Sequence, residues 1–212
     1  MKFIKFLLLA VLVIPASPAL AHHPLNGLPL QTLPHGLLSG VAHPLLGYDH
    51  FFFIVAAGAL CVYAGVKWSG PLVLLVGVVT GVLFALGNLA VSSGELLVAL
   101  SLVVFGGLGM LGRKLPTTWI LGLLVFLGTL HGWMYGQTLV AQESVLPAVF
   151  AGYLIGLITV HYLIAVISGH LLFGSIKALG KSTSKSMLKP QLACALVAGM
   201  GVTIALELLL GN

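Results

Sequence analysis

His43-Pro44-Leu45-Leu46-Gly47-Tyr48-Asp49-His50 puts two imidazoles and the single aspartate of the chain at the head of a long apolar run. Ionisable side chains at membrane depth are costly and are tolerated where they face a cavity and bind something, so this stretch marks a functional site. The plainer reading is that Pro44 and Gly47 begin a helix whose histidines only cap it or hydrogen-bond within it. Three ligand-type residues within eight positions favour the first reading.

The composition around that stretch decides the class. Hydrophobic residues make up 59% of the chain, charged residues 6%, and the mean hydropathy is +1.17. So little polar surface cannot cover a soluble globule, and several apolar runs are long enough to cross a bilayer. The expectation is an all-α polytopic membrane protein with a single transmembrane domain over 22–212. Its 27 glycines suit helices that pair by close backbone approach, since lipid gives apolar helices no hydrophobic reason to associate. The net charge of +5 then reflects topology and not nucleic-acid binding. Cys61 and Cys194 are too few and too deep in apolar sequence for a disulfide framework.

Residues 1–21 read as a cleavable signal peptide, with Lys2 and Lys5 as the basic start, Phe6 to Ile14 as the apolar core and Ala19-Leu20-Ala21 as the cleavage site. Cleavage leaves His22-His23-Pro24 at the exported terminus, where a free amine beside His22 and His23 offers a capture point for a divalent transition metal. A solvated tail without function is the alternative.

Six apolar spans follow, at about 36–66, 71–92, 95–112, 117–137, 146–173 and 190–210. The first is too long for one perpendicular helix. A residue before proline is pushed away from helical geometry and proline suits a helix's first turn, so a break near Pro44 is expected, with 36–43 re-entrant or interfacial.

An exported N-terminus makes the loops near 67–70, 112–116 and 174–189 cytoplasmic. They hold Lys67, Arg113, Lys114, Lys177, Lys181, Lys185 and Lys189, all the basic residues left after signal removal. The positive-inside rule is obeyed throughout, which puts the C-terminus on the exported side as well. The Lys-rich 174–189 segment reads as a flexible loop over anionic headgroups.

This topology puts His43, Asp49 and His50 in the outer half of the first span, His131 in the outer half of the fourth and His161 near the middle of the fifth. These depths are compatible with one outward-opening cavity. On a straight helix His43 and His50 share a face but lie about 10 Å apart, too far to hold one ion without a break. Gly47 clears that face for another helix or an ion. In the fourth span Gly128, Gly132 and Gly136 form a packing ridge, and His131, Tyr135 and Thr138 form a polar stripe beside it. Trp133 and Tyr135 also suit interface anchors. Gly152 and Gly156 give the fifth span its packing face, and His161 is a ligand or a proton-relay group. His170 is interfacial, Thr80 and Asn88 suit hydrogen bonds to neighbours, and Glu207 faces either the interface or the cavity.

Imidazole with a carboxylate suits borderline divalent metals such as nickel, cobalt and zinc. No cysteine or methionine cluster supports Cu(I), and carboxylates are too scarce for calcium or magnesium. His43-x5-Asp49-His50, preceded by a signal-like segment and followed by His131-Gly132 in the fourth mature span, resembles the HupE/UreJ family of nickel and cobalt permeases over essentially the whole mature chain. The resemblance implies secondary uptake of Ni²⁺ or Co²⁺ as transported substrate across the bacterial inner membrane, with no prosthetic group. It assigns metal handling to His43, Asp49 and His50, and makes His131 the first histidine of a second motif, Phe-His-Gly-x-Ala/Val-His-Gly-x-Glu. Here that motif reads Leu130-His131-Gly132-Trp133-Met134-Tyr135-Gly136-Gln137-Thr138, with Tyr135 for its second histidine and Thr138 for its acid. His161 or the N-terminal histidines are the residues available to compensate.

Two other functions fit the same residues. One is an intramembrane metalloenzyme of the zinc hydrolase type with Asp49 or Glu207 as general base, although no nucleophile motif favours it. The other is a metal-binding sensor or accessory subunit that does not transport. No P-loop is present, and a homo-oligomer is compatible with the sequence.

Overall fold

The computed structural model describes residues 29–89, 91, 93–111, 116–141, 145–178 and 184–210, side chains at 111, 173–178 and 184–190 excepted. Every regular element among them is helical: α1 Leu33–Leu46, α2 Tyr48–Tyr63, α3 Ser69–Leu86, α4 Gly94–Leu111, α5 Thr117–Val140, α6 Pro147–Ala178 and α7 Ser184–Leu210. The all-α expectation holds. Residues 1–21, where a signal peptide is expected, lie outside the described residues, as do His22 and His23.

Four stretches, Ser69–Leu86, Thr117–Val140, Pro147–Leu172 and Gln191–Leu210, are each long and apolar enough to cross a membrane. The pair α1 and α2 meets the same test jointly, bent by 79° at its junction, and Gly94–Met110 is a shorter apolar helix.

The first span breaks at Gly47 and not at Pro44. Thr32 caps α1 by accepting from the His35 backbone N–H, and Pro34 sits in the first turn, where its missing N–H costs nothing. The helix then runs through His43 and Pro44 to Leu46. Proline this close to a C-terminus removes one intrahelical bond without ending the helix. Gly47 finishes α1 by donating to the His43 carbonyl at 3.0 Å, and its own carbonyl starts α2 by accepting from Phe51 N–H at 2.8 Å. Its extended ψ of 100° turns the chain between the two bonds. A Cβ there would lie 2.8 Å from His50 Cδ2 and 3.2 Å from Asp49 Oδ1, so a larger residue at the bend must displace the His50 ring.

Glycine-lined contacts join the helices in pairs. Gly36 and Gly40 of α1 lie against the α6 backbone at Val149 and Tyr153, while Gly152 and Gly156 of α6 lie against α1 at Leu33 and Leu37. Between α3 and α5, Gly77 and Gly81 meet Val125 and Thr129, and the ridge Gly128, Gly132 and Gly136 meets Leu74, Val78 and Val82. Gly106 and Gly201 bring α4 and α7 together in the same way. Backbones this close gain dispersion over long contacts, which substitutes for the missing hydrophobic drive. The two ridges expected on α5 and α6 are therefore packing faces.

The Lys-rich segment departs from the expected loop. Helix α6 continues to Ala178 and α7 begins at Ser184, so both ends of 174–189 are helical. Asn88 adopts a φ of 58° in the turn after α3, and Thr80 bonds the Val76 carbonyl of its own helix; neither reaches a neighbouring span by these contacts.

Candidate functional site

Because α1 and α2 fold back at Gly47, His43 and His50 come within 5.3 Å of each other, measured between ring centroids. A straight helix would hold them about twice as far apart. Tyr135 of α5 lies beside both, at 5.0 Å from His43 and 4.5 Å from His50, and His161 of α6 stands edge-on to the same phenol at 5.0 Å. His131, one helical turn before Tyr135, reaches His50 Nδ1 with its own Nδ1 at 3.1 Å. Four imidazoles from four helices thus gather about one tyrosine. All four are buried, at 3% exposure or less.

Asp49 opens onto the edge of this cluster. It lies in the first turn of α2, where a carboxylate complements the positive end of the helix dipole, and is 27% exposed. Its Oδ2 is 3.7 Å from His50 Nδ1. Glu207 of α7 is exposed. His170 of α6 is half-buried, bonds the Val166 carbonyl at 2.7 Å and lies 4.9 Å from Trp68. With Lys67 Nζ 5.5 Å from the Trp68 ring, this group suits an interface, as expected for His170. Tyr135 is fully buried, which removes it as an interface anchor, whereas partly buried Trp133 donates from Nε1 to the Leu89 carbonyl at 2.7 Å.

Two hydroxyl residues that sequence reading passed over hold the imidazoles. Ser101 of α4, 1% exposed, lies 2.7 Å from His131 Nε2 and bonds the Val98 carbonyl at 2.6 Å. Tyr153 of α6 donates to the Tyr135 carbonyl at 2.8 Å and lies 3.4 Å from His43 Nδ1. Thr138 adds a contact of 2.9 Å to the same His43 nitrogen. His161 Nδ1 donates to the Leu157 carbonyl at 2.9 Å, so its other nitrogen carries the lone pair. That Nε2 is buried without a hydrogen-bond partner, and so is the Tyr135 hydroxyl. Such groups are uncommon in a packed interior and are a reason to expect a ligand there.

The rings touch one another instead of pointing at a shared centre. Among the described residues, no three His, Cys, Asp or Glu side chains converge closely enough to hold a metal ion as they stand. Binding by this cluster therefore requires ring or helix movement.

A family model described as HupE / UreJ protein matches residues 9–204. The chain belongs to the HupE/UreJ family. No curated protein and no solved structure matches it. HupE/UreJ proteins are associated with nickel and cobalt transport and form a transporter-type family. Both departures from the family's second motif fall within the cluster: Tyr135 is the ring at its centre and Thr138 holds His43.

Proposed function

We propose that this chain is a secondary permease for uptake of Ni²⁺ or Co²⁺ and is not an enzyme. The observation that carries the reading is the gathering of His43, His50, His131 and His161, from four helices, at a bend with Asp49 at its edge. Imidazole nitrogens with one carboxylate match the preference of borderline divalent ions, and membership of HupE/UreJ favours nickel and cobalt over zinc. Asp49 offsets part of the ion's charge as it sheds water, where low dielectric makes that charge expensive. The broken span supports passage as well as binding, since discontinuous helices at mid-membrane are the usual seat of transporter sites. An arrangement in which the ligands must first separate also favours release over tight retention.

In this reading α1 and α2 form one broken span and α3 to α7 complete six, in the bacterial inner membrane with both mature termini on the exported side. The fit with the basic residues of the intervening segments supports that orientation.

Uptake of Ni²⁺ and Co²⁺ at trace concentration, by cells making the intact chain or Asp49→Ala at matched membrane expression, tests the proposal. Uptake by the intact chain that falls at least tenfold in the variant is expected; equal uptake by both would remove Asp49 from the path, and uptake by neither would remove the permease function.

A further inference from the structure

Hydrogen-bond directions within the cluster divide its histidines into two kinds. The Ser101 hydroxyl has one proton, and the Val98 carbonyl 2.6 Å away can only accept. The proton is therefore committed to Val98, and towards His131 Nε2, at 2.7 Å, Ser101 can only accept. His131 carries its proton on Nε2. A neutral imidazole has one N–H, so His131 Nδ1 is bare, and the His50 Nδ1 facing it at 3.1 Å must be the donor. The unprotonated nitrogen of His50 is then Nε2.

Packing holds this chain of bonds in place. The His131 ring is stacked on Phe53 with centroids 3.6 Å apart and planes 12° from parallel, and Phe53 is stacked in turn on Phe105 at 5.1 Å. Both His131 and Ser101 are buried, so water offers them no competing partner.

We propose that Ser101 and His131 form a positioning pair for His50: together they fix its tautomer and present Nε2 as the nitrogen that takes the metal. His131 then spends its only lone pair on His50 and is not itself a ligand in this arrangement. A metal-binding imidazole commonly gives its other N–H to an acceptor that sets its orientation and basicity, and loss of such an acceptor typically lowers metal affinity 10- to 100-fold. The usual acceptor is a carboxylate, carbonyl or water; here it is a second imidazole whose own tautomer is set by a serine. The consequence for transport rests on the permease reading, whereas the proton positions do not.

The full chain in lipid nanodiscs, labelled with ¹⁵N-histidine, tests both parts. Nitrogen spectra of the metal-free protein are expected to place the proton on Nε2 of His131 and on Nδ1 of His50. Ser101→Ala should abolish the single-tautomer signature of the pair, and Ser101→Thr, which keeps the hydroxyl, should restore it. In Ni²⁺ uptake by cells, Ser101→Ala should raise KM about tenfold with little change in maximal rate, and Ser101→Thr should bring KM back. A His50 proton on Nε2 in the unmutated protein would overturn the proposal, as would a KM unchanged in Ser101→Ala. Predicted tautomers in a chain that moves no metal would overturn the permease reading and leave the hydrogen-bond assignment standing.

Discussion

His50 of α2 and His131 of α5 meet Nδ1 to Nδ1 at 3.1 Å, joining residues 81 positions apart across the buried centre of the molecule. One nitrogen must donate and the other accept, so each imidazole satisfies its partner. Removing either ring leaves a buried polar group exposed to an apolar cavity, at a cost of about 1–3 kcal/mol. Residues that share a bond this way do not contribute independently. A double-mutant cycle with His50→Ala and His131→Ala, read by thermal unfolding in detergent, should give a coupling of about 0.5–3 kcal/mol. Strictly additive losses would mean the two rings do not interact.

Gly47→Ala should impair transport out of proportion to its size. The added methyl would lie 2.8 Å from His50 Cδ2 and 3.2 Å from Asp49 Oδ1, so it displaces the side chains proposed to handle metal. Overpacking of this kind costs about 1–3 kcal/mol. Nickel uptake at matched membrane level should fall severalfold, and unchanged uptake would separate the bend from the transport path.

The α3–α5 contact should be sensitive at Gly132 and insensitive at Gly122. A Cβ on Gly132 meets the Val78 backbone, while one on Gly122 meets nothing within 4 Å. Gly132→Ala is expected to lower stability by about 1–3 kcal/mol, and Gly122→Ala to stay within about 0.5 kcal/mol of the parent. Comparison of their unfolding temperatures in one detergent checks the pairing of the helices; equal effects would contradict it.

Tyr135→Phe should stabilise the metal-free protein while weakening its response to metal. The hydroxyl is buried with no partner, so its removal relieves a desolvation cost of about 1–3 kcal/mol. If that hydroxyl orients towards the cargo ion, the rise in unfolding temperature produced by Ni²⁺ should shrink in the variant. A destabilised metal-free Tyr135→Phe would show that the hydroxyl has a structural partner.

Much of this architecture is legible in the residue pattern, and what is not has identifiable causes. Apolar runs at bilayer length give the helical membrane class, and small residues four apart on α5 and α6 give the packing faces, because both follow from periodicity within one helix. The break is misread by three residues because pre-proline bias is a local preference, and at His43 the continuing hydrogen bonds of α1 outweigh it. Gly47 stands out in the sequence as part of a helix start and as a gap on the His43–His50 face, but its place as the bend shows only once His50 and Asp49 fold back on it. Ser101 and Tyr153 are invisible for a related reason. A lone hydroxyl in an apolar helix has no partner in its own periodicity, and its role exists only once α4 reaches His131 and α6 reaches His43. His161 could be named from the chain, but its position against Tyr135 depends on how α5 and α6 pack.

Metal flux through the isolated protein tests the account most directly. Purified chain reconstituted into liposomes, with a Ni²⁺-quenched dye inside, should show Ni²⁺ entry that saturates with concentration. Entry should fall at least tenfold in His50→Ala liposomes of equal protein content. Saturable entry that is identical with and without the His50 imidazole would contradict the histidine cluster as the path of the ion.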